Sequence, residues 1–402
     1  MSAAETVVTN ALLEQWAIDP NGPVALHLKQ ELVPVEGKGG VIFPPTYADI
    51  GYNIDTLADG TKVATIDSVG SQANRMEPMF KCKGKDDNKK ELNPLAELVP
   101  QIEIILRVKE GDGEQYERRQ SLLDLSHRSA DAVVKATPEL RKFVDPAFIA
   151  LSRHGNAWPL CAVAPTSLLF GVWDSRDGTG EKRPRLVRSV IRAWDVDVLH
   201  SAAQFGSIWK SLGDEDRATL KEEEKRKGKV KLSVAGLADA PSTFRTDKVA
   251  QFVNGAPNPE ARVLGGVLCK GIIERNVTIN LVALRALRGS TDQETRQIRT
   301  YLLSLALLAA TADLDLFLRE GCLLRYADES DVWMRVPRRG EPTPIQLPGW
   351  NDLLKFARDA AVPFAAEWPK DKNGKPALEH RFDIKKAKEL LSKKTDEETP
   401  AP

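Results

Sequence analysis

The sequence predicts an α+β fold, because strand-like and helix-like segments follow one another along its 402 residues. Residues 24–33 alternate apolar and polar side chains, which is the period of a strand with one buried face. Residues 102–108 are mostly apolar and predict another strand. The apolar run at residues 301–312 is too short to span a bilayer and predicts the core part of a helix over 292–312. A chain of this length can bury a large core and can form two or three domains.

Weaker signals complete the order of elements. Residues 63–66 predict a short strand that leads into a helix near Ser71, and Pro146 is expected to split a helix over 138–151. The segments with strand character are 24–33, 63–66, 102–108, 167–173, 263–284, 314–326 and 332–336. The segments with helix character are 129–135, 138–151, 185–194, 292–312 and the residues from 385 onward.

Changes in composition divide the chain into four parts. Residues 212–262 contain a run of mixed charges followed by glycines and prolines, which predicts an insertion in the form of an arm. Residues 385–402 are rich in lysine and glutamate and end in an acidic tail that is predicted to be disordered. The core is then expected in two parts, at 1–211 and 263–384, on either side of the insertion.

Charge and cysteine content limit the classes of protein to consider. Lysine and arginine total 57, and aspartate and glutamate also total 57, so the chain has no overall positive field. Binding of phosphate would depend on local charge, because screening at physiological salt limits its reach to about 8 Å. The four cysteines are scattered without metal-ligand spacing, and the N-terminus has no signal-peptide pattern. We therefore expect a cytoplasmic protein with reduced thiols and no contact with a membrane.

No motif of a common catalytic class is present. Residues 178–182 contain two glycines and a lysine, but the spacing of a phosphate-binding loop is absent. Neither a Gly-x-Ser-x-Gly elbow nor a His-Glu-x-x-His helix occurs. The sequence therefore predicts no catalytic residue, no metal and no cofactor.

Residues 65–78 concentrate side chains that suit the binding of a sugar-phosphate chain. Small residues and a glycine follow an apolar strand, and at such a junction the free N–H groups of a helix start attract anions. Amide and guanidinium donors follow, without a nucleophile or a metal cage. The candidate contact residues are Ser68, Gly70, Ser71, Gln72, Asn74 and Arg75. The alternative interpretation is an ordinary capped helix start.

Residues 182–192 contain five cations and no acid. Arg185, Arg188 and Arg192 are three and four residues apart, so a helix over 185–194 would present them on one face. Arginine binds phosphate oxygens through a planar fork of donors, which suits a chain of any base sequence. The candidates in this segment are Lys182, Arg183, Arg185, Arg188 and Arg192. The alternative is a solvated basic face that is paired with acids elsewhere in the fold.

His127 and Arg128 precede a predicted helix and are further candidates for a phosphate or base contact. His127 is equally typical of a capping or packing residue, so Arg128 is the stronger candidate. The lysines of segments 81–90 and 221–231 lie among acids and give weaker signals.

Three separated stretches, in this order, closely resemble the backbone subunits of type I-G (formerly I-U) CRISPR surveillance complexes, members of the RAMP superfamily of guide-RNA-binding proteins. They are residues 65–78, residues 127–134, and a segment from Pro159 through 168–175 and 183–185 to 194–196. The resemblance covers about residues 20–330. It implies an RRM-like (ferredoxin-like) core with large insertions.

The resemblance also implies a function. Related subunits bind the CRISPR guide RNA without cutting it, in several copies that stack head-to-tail into a helical filament. All the candidate residues named above would then bind RNA, and the bases would stay free to pair with a target DNA strand. The implied protein partners are copies of the chain itself, a large subunit of the Cascade complex, and a fused guide-end and processing subunit. Segment 81–90 or 221–231 would be the thumb, the hairpin with which related subunits bracket the guide.

Two alternatives stay open at this point. Related subunits of type III complexes cut RNA with an aspartate, so a metal-dependent ribonuclease that uses Asp67 or Asp174 with His127 is one of them. Neither motif supplies a second acid close by, which a two-metal site would need. The other alternative is a protein-interaction scaffold that binds no RNA.

Overall fold

The computed structural model describes most of the chain. The described residues are 6–47, 50–84, 91–108, 115–175, 178–201, 211–227, 232, 237, 252–253, 256–257, 263–328 and 331–392. Residues 85–90, most of 228–262 and the tail 393–402 lie outside this set, so most of the predicted loop, arm and tail are outside the described residues.

Strands and helices alternate along the described residues. The strands β1 to β20 are Thr6–Val7, Ala25–Pro34, Val41–Ile42, Ile54–Thr56, Lys62–Asp67, Glu103–Val108, Tyr116–Ser121, Val172–Trp173, Lys182–Arg183, Val187–Trp194, Val196–Ser201, Phe252–Val253, Ala256–Pro257, Val263–Cys269, Ile273–Asn280, Phe317–Arg319, Cys322–Tyr326, Val332–Val336, Thr343–Gln346 and Glu379–Arg381. The helices α1 to α11 are Asn10–Ile18, Val69–Met76, Ala132–Lys135, Pro138–His154, Trp158–Val163, Pro165–Phe170, Asp214–Lys227, Leu281–Arg285, Asp292–Thr311, Trp350–Ala365 and Ile384–Ser392. Short 3-10 turns occur at Glu77–Phe80, Ala96–Leu98, Leu122–Asp124 and Arg128–Ala130.

One large mixed sheet organises the fold. Its strands lie in the order β1-β19-β18-β2-β15-β10-β5-β4, and β17 pairs with β2 on the same side as β18. The β1–β19 pair is parallel, and the other neighbours are antiparallel. This sheet with its helices confirms the α+β prediction.

Four strands at the centre have an informative order. Side by side they are β17, β2, β15 and β10, and in the chain they follow the sequence β2, β10, β15, β17. Helices lie between β2 and β10, and α9 lies between β15 and β17, so the elements succeed one another as in a β-α-β-β-α-β unit. The RRM-like core remains a prediction, and this order of elements supports it.

Helix α9 forms the centre of the core. Its residues from Tyr301 to Ala310 are buried all round, because the helix packs against the sheet, α1 and α10. Tyr301 stacks on Phe364 of α10 with ring centroids 4.5 Å apart. Each large apolar side chain buried in this way contributes about 2 kcal/mol of transfer free energy. Among the described residues, no helix has the length and apolar character to cross a membrane.

Three local predictions are wrong. Residues 187–194 form strand β10 instead of a helix, because alternate side chains face the core and neighbouring strands pair with it on both sides. Most of 167–173 belongs to helix α6, which is buried on all sides and therefore shows no helical periodicity in the sequence. Pro146 does not split α4, which continues through it.

Candidate nucleic-acid interface

Helix α2 begins at a capped turn directly after β5. Ser68 is the N-cap residue, and its Oγ accepts a hydrogen bond from the N–H of Ser71 at 3.3 Å. A Cβ placed on Gly70 would meet nothing nearer than Ser68 Oγ at 4.0 Å, so the space beside the first turn is open. Ser71 is half-buried and Asn74 is exposed. The start of α2 therefore offers small side chains and the positive end of a helix to an anion.

Gln72, on the same helix, faces the interior and is fully buried. Its Nε2 donates to Asp67 Oδ2 at 2.7 Å. Its Oε1 accepts from Ser189 Oγ at 2.7 Å and from Arg275 Nε at 3.3 Å. This corrects the prediction that Gln72 contacts RNA: its bonds orient α2 against the sheet, and it has no surface to offer a ligand.

Arg275 of β15 lies at the centre of this network and is completely buried. Its Nη1 donates to Gln30 Oε1 at 2.6 Å and to the carbonyl of Ala310 at 3.2 Å. Burial lowers the pKa of Arg275. Through these bonds Arg275 connects β2, β15, α2 and α9. It was missed as a candidate, and the only signal in the sequence was an arginine inside an otherwise strand-like run.

Arg75 is also engaged inside the protein. Its Nε donates to Asp67 Oδ2 at 3.1 Å. Its Nη1 and Nη2 donate to the carbonyls of Phe317 at 3.3 Å and Leu318 at 2.8 Å. The two outer nitrogens therefore tie α2 to β16 and Nε ties it to the end of β5, so Arg75 is a positioning residue in this arrangement.

Arg128 forms a buried ion pair with Glu77, the residue that follows α2. It has a left-handed backbone with φ of 55°, and its Nε lies 2.7 Å from Glu77 Oε2. Burial raises the pKa of Glu77 to about 7, although Arg128 itself acts in the opposite direction. Burial also lowers the pKa of Arg128.

The outer nitrogens of Arg128 connect two surface elements. Nη2 donates to Asn74 Oδ1 at 3.4 Å, and Nη1 donates to the carbonyl of Gly171 at 3.3 Å. Arg128 is only 4% exposed, so the expectation that it contacts RNA is corrected to a positioning role. His127, beside it, is exposed.

Strand geometry separates the arginines that the sequence places on one helix face. Ser189 contacts Gln72 on the face of β10 that α2 covers, so Arg188 and Arg192 lie on the opposite face of the sheet. Arg188 is exposed and Arg192 is half-buried. Arg185 precedes the strand, is exposed, and packs beside Gly171.

The face that carries Arg188 and Arg192, here called the open face, is polar. Lys29 Nζ pairs with Glu274 at 2.6 Å, and the same carboxylate accepts from Trp194 Nε1 at 3.0 Å. Arg192 lies opposite Glu274 in the β10–β15 register, without an ion pair between them in the described part of the chain. The polar side chains of β2 and β15 thus satisfy one another, whereas Arg188 and Arg192 stay available.

Lys182 and Arg183 lie on a short hairpin beside this surface. In the β8–β9 ladder Trp173 faces Lys182, whose Nζ lies 5.0 Å from the centre of the indole. Arg183 Nε lies 2.6 Å from Glu181 and is therefore partly neutralised.

Helix α2 and strand β10 meet at one border of the sheet. Strand β5 stops pairing with β10 at Ile191, so residues 187–190 have the start of α2 as their neighbour. The cations Lys182, Arg185, Arg188 and Arg192, here called the basic strip, follow one another in the chain from the β8–β9 hairpin into β10. Of the expected contact residues, Ser68, Gly70, Ser71 and Asn74 belong to α2 and its cap, and Asn74 is connected to the neighbourhood of Arg185 through Arg128 and Gly171. Arg188 and Arg192 lie on the other face of β10.

The aspartates of the nuclease alternative have structural partners. Asp67 is bound by Gln72 and Arg75. Asp174 is buried, pairs with Lys135 Nζ at 2.9 Å and accepts from the Thr179 N–H at 2.7 Å. Over the described residues, no group of three His, Cys, Asp or Glu side chains could hold a metal ion. Neither aspartate is therefore arranged as part of a metal site.

A sequence comparison adds the family. Residues 26–198 match the family model for CRISPR-associated protein GSU0053. Over these residues the chain is similar to a CRISPR-associated protein of the GSU0053 family. A role in CRISPR immunity is implied by this match. No curated protein matches the chain closely enough to be counted as a relative.

The matched residues include every candidate contact residue, from Ser68 to Arg192. They also include β2, α2 and β10, which build the border described above. Strands β15 and β17, which pair with β2, lie outside the match. The candidate interface is thus built from matched residues on a sheet that the rest of the chain completes.

Proposed function

We propose that this protein is a non-catalytic subunit that binds the guide RNA of a type I-G CRISPR surveillance complex, as one of several adjacent copies. The family match and the resemblance to RAMP-superfamily backbone subunits support this role. Each copy would hold the sugar-phosphate chain and leave the bases free to pair with target DNA.

The observation that carries the proposal is that three arginines of the basic strip have no acidic partner among the described residues. Arg185, Arg188 and Arg192 form no ion pair with any described residue, although the chain as a whole is electrically neutral. Exposed arginines without an acidic partner are available to bind phosphate oxygens. The start of α2, with Ser68, Gly70 and Ser71, adds helix N–H groups at the border with β10.

One of the two thumb candidates is connected to the central strands. Strands β11 and β14 continue from β10 and β15, pair with each other, and are joined in the chain by residues 202–262. Because this connection contains segment 221–231 and starts from strands that continue β10 and β15, we assign the thumb to 202–262 and not to 81–90.

The test is a triple replacement, Arg185→Ala, Arg188→Ala and Arg192→Ala, with binding of single-stranded guide RNA measured over a range of salt concentrations. Affinity should fall for all base sequences, because the lost contacts are to phosphates. The slope of log affinity against log salt should decrease by about 0.7 for each lost phosphate contact, or about 2 in total.

A matched control removes the same charge elsewhere. Arg153 on α4, Arg296 on α9 and Arg339 after β18 are exposed. Their replacement by Ala should leave affinity and salt slope near the values of the unchanged protein. If both triple variants behave alike, or if the unchanged protein binds no RNA, the proposal is wrong. Magnesium-dependent cutting of the guide or target RNA would instead support a nuclease.

A further inference from the structure

Trp173 is unusually exposed for a residue of its size. It is 58% exposed, whereas tryptophan in folded proteins is on average largely buried. It lies on β8 and pairs with Lys182 of β9, so its position is fixed by a ladder of backbone bonds. Its neighbour Val172 faces inward and is buried. The hairpin thus buries one side chain of β8 and presents the next one to solvent.

Asp174 binds the residues that precede β9 on the other side of the hairpin. Its backbone N–H donates to the carbonyl of Glu181 at 2.8 Å, and its carboxylate accepts from Thr179 Oγ1 at 3.0 Å. Lys135 Nζ pairs with the same carboxylate at 2.9 Å. A Cβ on Gly178 would overlap Asp174 Oδ1 at 2.1 Å, so only glycine fits there. These contacts fix the backbone next to the indole.

One cation lies over the indole, and a second lies at the base of the hairpin. The ammonium of Lys182 lies over the ring, 5.0 Å from its centre. Arg185 is close to the base of the hairpin, since a Cβ on Gly171 would lie 2.8 Å from its Cγ. An aromatic ring flanked by cations is the combination on which single-stranded nucleic acids stack their bases. A protein partner would more often need a continuous apolar patch, and the neighbours of Trp173 here are charged.

The hairpin is also connected to α2. The carbonyl of Gly171, two residues before Trp173, accepts from Arg128, and Arg128 donates to Asn74 on the exposed side of α2. The hairpin that carries the indole, Arg185 and Asn74 of α2 are therefore connected through Gly171 and Arg128. An RNA whose phosphates follow the basic strip would bring a base within reach of the indole face that Lys182 does not cover.

We propose that Trp173 is a stacking platform for one base of the bound RNA. The proposal rests on the proposed function and adds a base contact to a site otherwise built for phosphates. Stacking is tolerant of base identity, so Trp173 would hold one base of the RNA away from pairing with the target strand, whatever that base is.

The test compares Trp173→Ala and Trp173→Phe in binding of single-stranded RNA. Loss of one stacked base should lower affinity about 5- to 100-fold in the alanine variant, and phenylalanine should restore most of it. The salt slope should not change, because an indole releases no counterions. Trp350→Ala, at the start of α10, removes another partly exposed indole as a matched control and should have no effect.

A second measurement uses RNA with a single abasic site moved along its length. The unchanged protein should lose affinity at particular positions, and Trp173→Ala should be insensitive to them. Equal affinity of the unchanged protein and Trp173→Ala would overturn the stacking role while leaving the proposed function intact. If Trp173→Ala kept its RNA affinity but lost association with other complex subunits, the residue would be a protein contact. Failure of the unchanged protein to bind RNA would overturn both proposals.

Discussion

Asp67 stands at the point where strand β5 turns into helix α2. Its buried carboxylate accepts from Gln72 and Arg75, and Arg75 continues to the carbonyls of β16. A carboxylate that accepts bonds from two neighbours inside the protein stabilises their positions and is poorly placed to bind a metal.

We expect Asp67→Asn to lower the free energy of unfolding by about 1–3 kcal/mol, because it weakens a charged hydrogen bond and buries an amide without a full set of partners. Urea unfolding measures this change. Asp359→Asn on α10 removes an exposed carboxylate paired with Lys355 and should change stability by no more than about 0.5 kcal/mol. Equal effects in the two variants would show that the Asp67 network contributes little.

Individual residues show how far a sequence can specify a site. The capped helix start after β5 could be predicted as one of two interpretations of residues 65–78, and Ser68 is its N-cap residue. The inward direction of Gln72 and Arg128 could not. The direction of Gln72 depends on Ser189 and Arg275, which are distant in the chain. The direction of Arg128 depends on Glu77, an acid that is itself buried.

At the scale of elements, the long hairpin of β10–β11 and β14–β15 bends sharply at one point. Asp195, between β10 and β11, has a left-handed backbone with φ of 52°. Opposite it, a Cβ on Gly271 would lie 2.6 Å from the carbonyl oxygen of Trp194. The bend sets the direction of the β11–β14 pair relative to the β10–β15 pair.

Replacement of Asp195 by valine should lower the free energy of unfolding by about 1–2 kcal/mol, since a β-branched residue is strained in the left-handed region. Asp195→Asn is the matched control, because asparagine tolerates this conformation while losing the contact to Lys270. The midpoint of urea unfolding gives the comparison. A valine variant as stable as the asparagine variant would mean that the backbone relaxes at this position.

The elements also differ in how well the sequence predicted them. Helix α9 and strand β18 lie where the apolar pattern predicts them. Strand β10 was predicted as a helix, because its arginines are three and four residues apart, which is the spacing of one helix face. The same spacing can also occur in a strand. The segment is a strand because it pairs with β5 and β15. Those partners are distant in the sequence, so a local pattern does not reveal them.

The whole molecule is expected to assemble along its ligand. If several copies bind one guide through head-to-tail contacts, the number of bound chains should increase with RNA length. Mass photometry with RNAs of increasing length should show successive additions of one 44.3 kDa unit. The triple variant in the basic strip should show fewer additions at the same concentration. A constant number of chains on all lengths would contradict the filament.

For the molecule as a whole, the sequence predicted the α+β class and the CRISPR family better than the arrangement of the parts. The resemblance in residues 65–196 implied the RRM-like core, which composition and periodicity alone did not select. The pairing of Leu28 with Val277 joins residues about 250 positions apart, and no local pattern specifies such a contact.

The position of β2 has a practical consequence for anyone who expresses only part of this gene. Its neighbours on one flank, β15, and on the other, β17 and β18, are all encoded after residue 263, beyond the recognised stretch 26–198. A fragment trimmed to that stretch would leave β2 without a partner on either edge and would expose its apolar face to water. A fragment for laboratory work should therefore extend at least from β2 through β18, well beyond the recognised stretch.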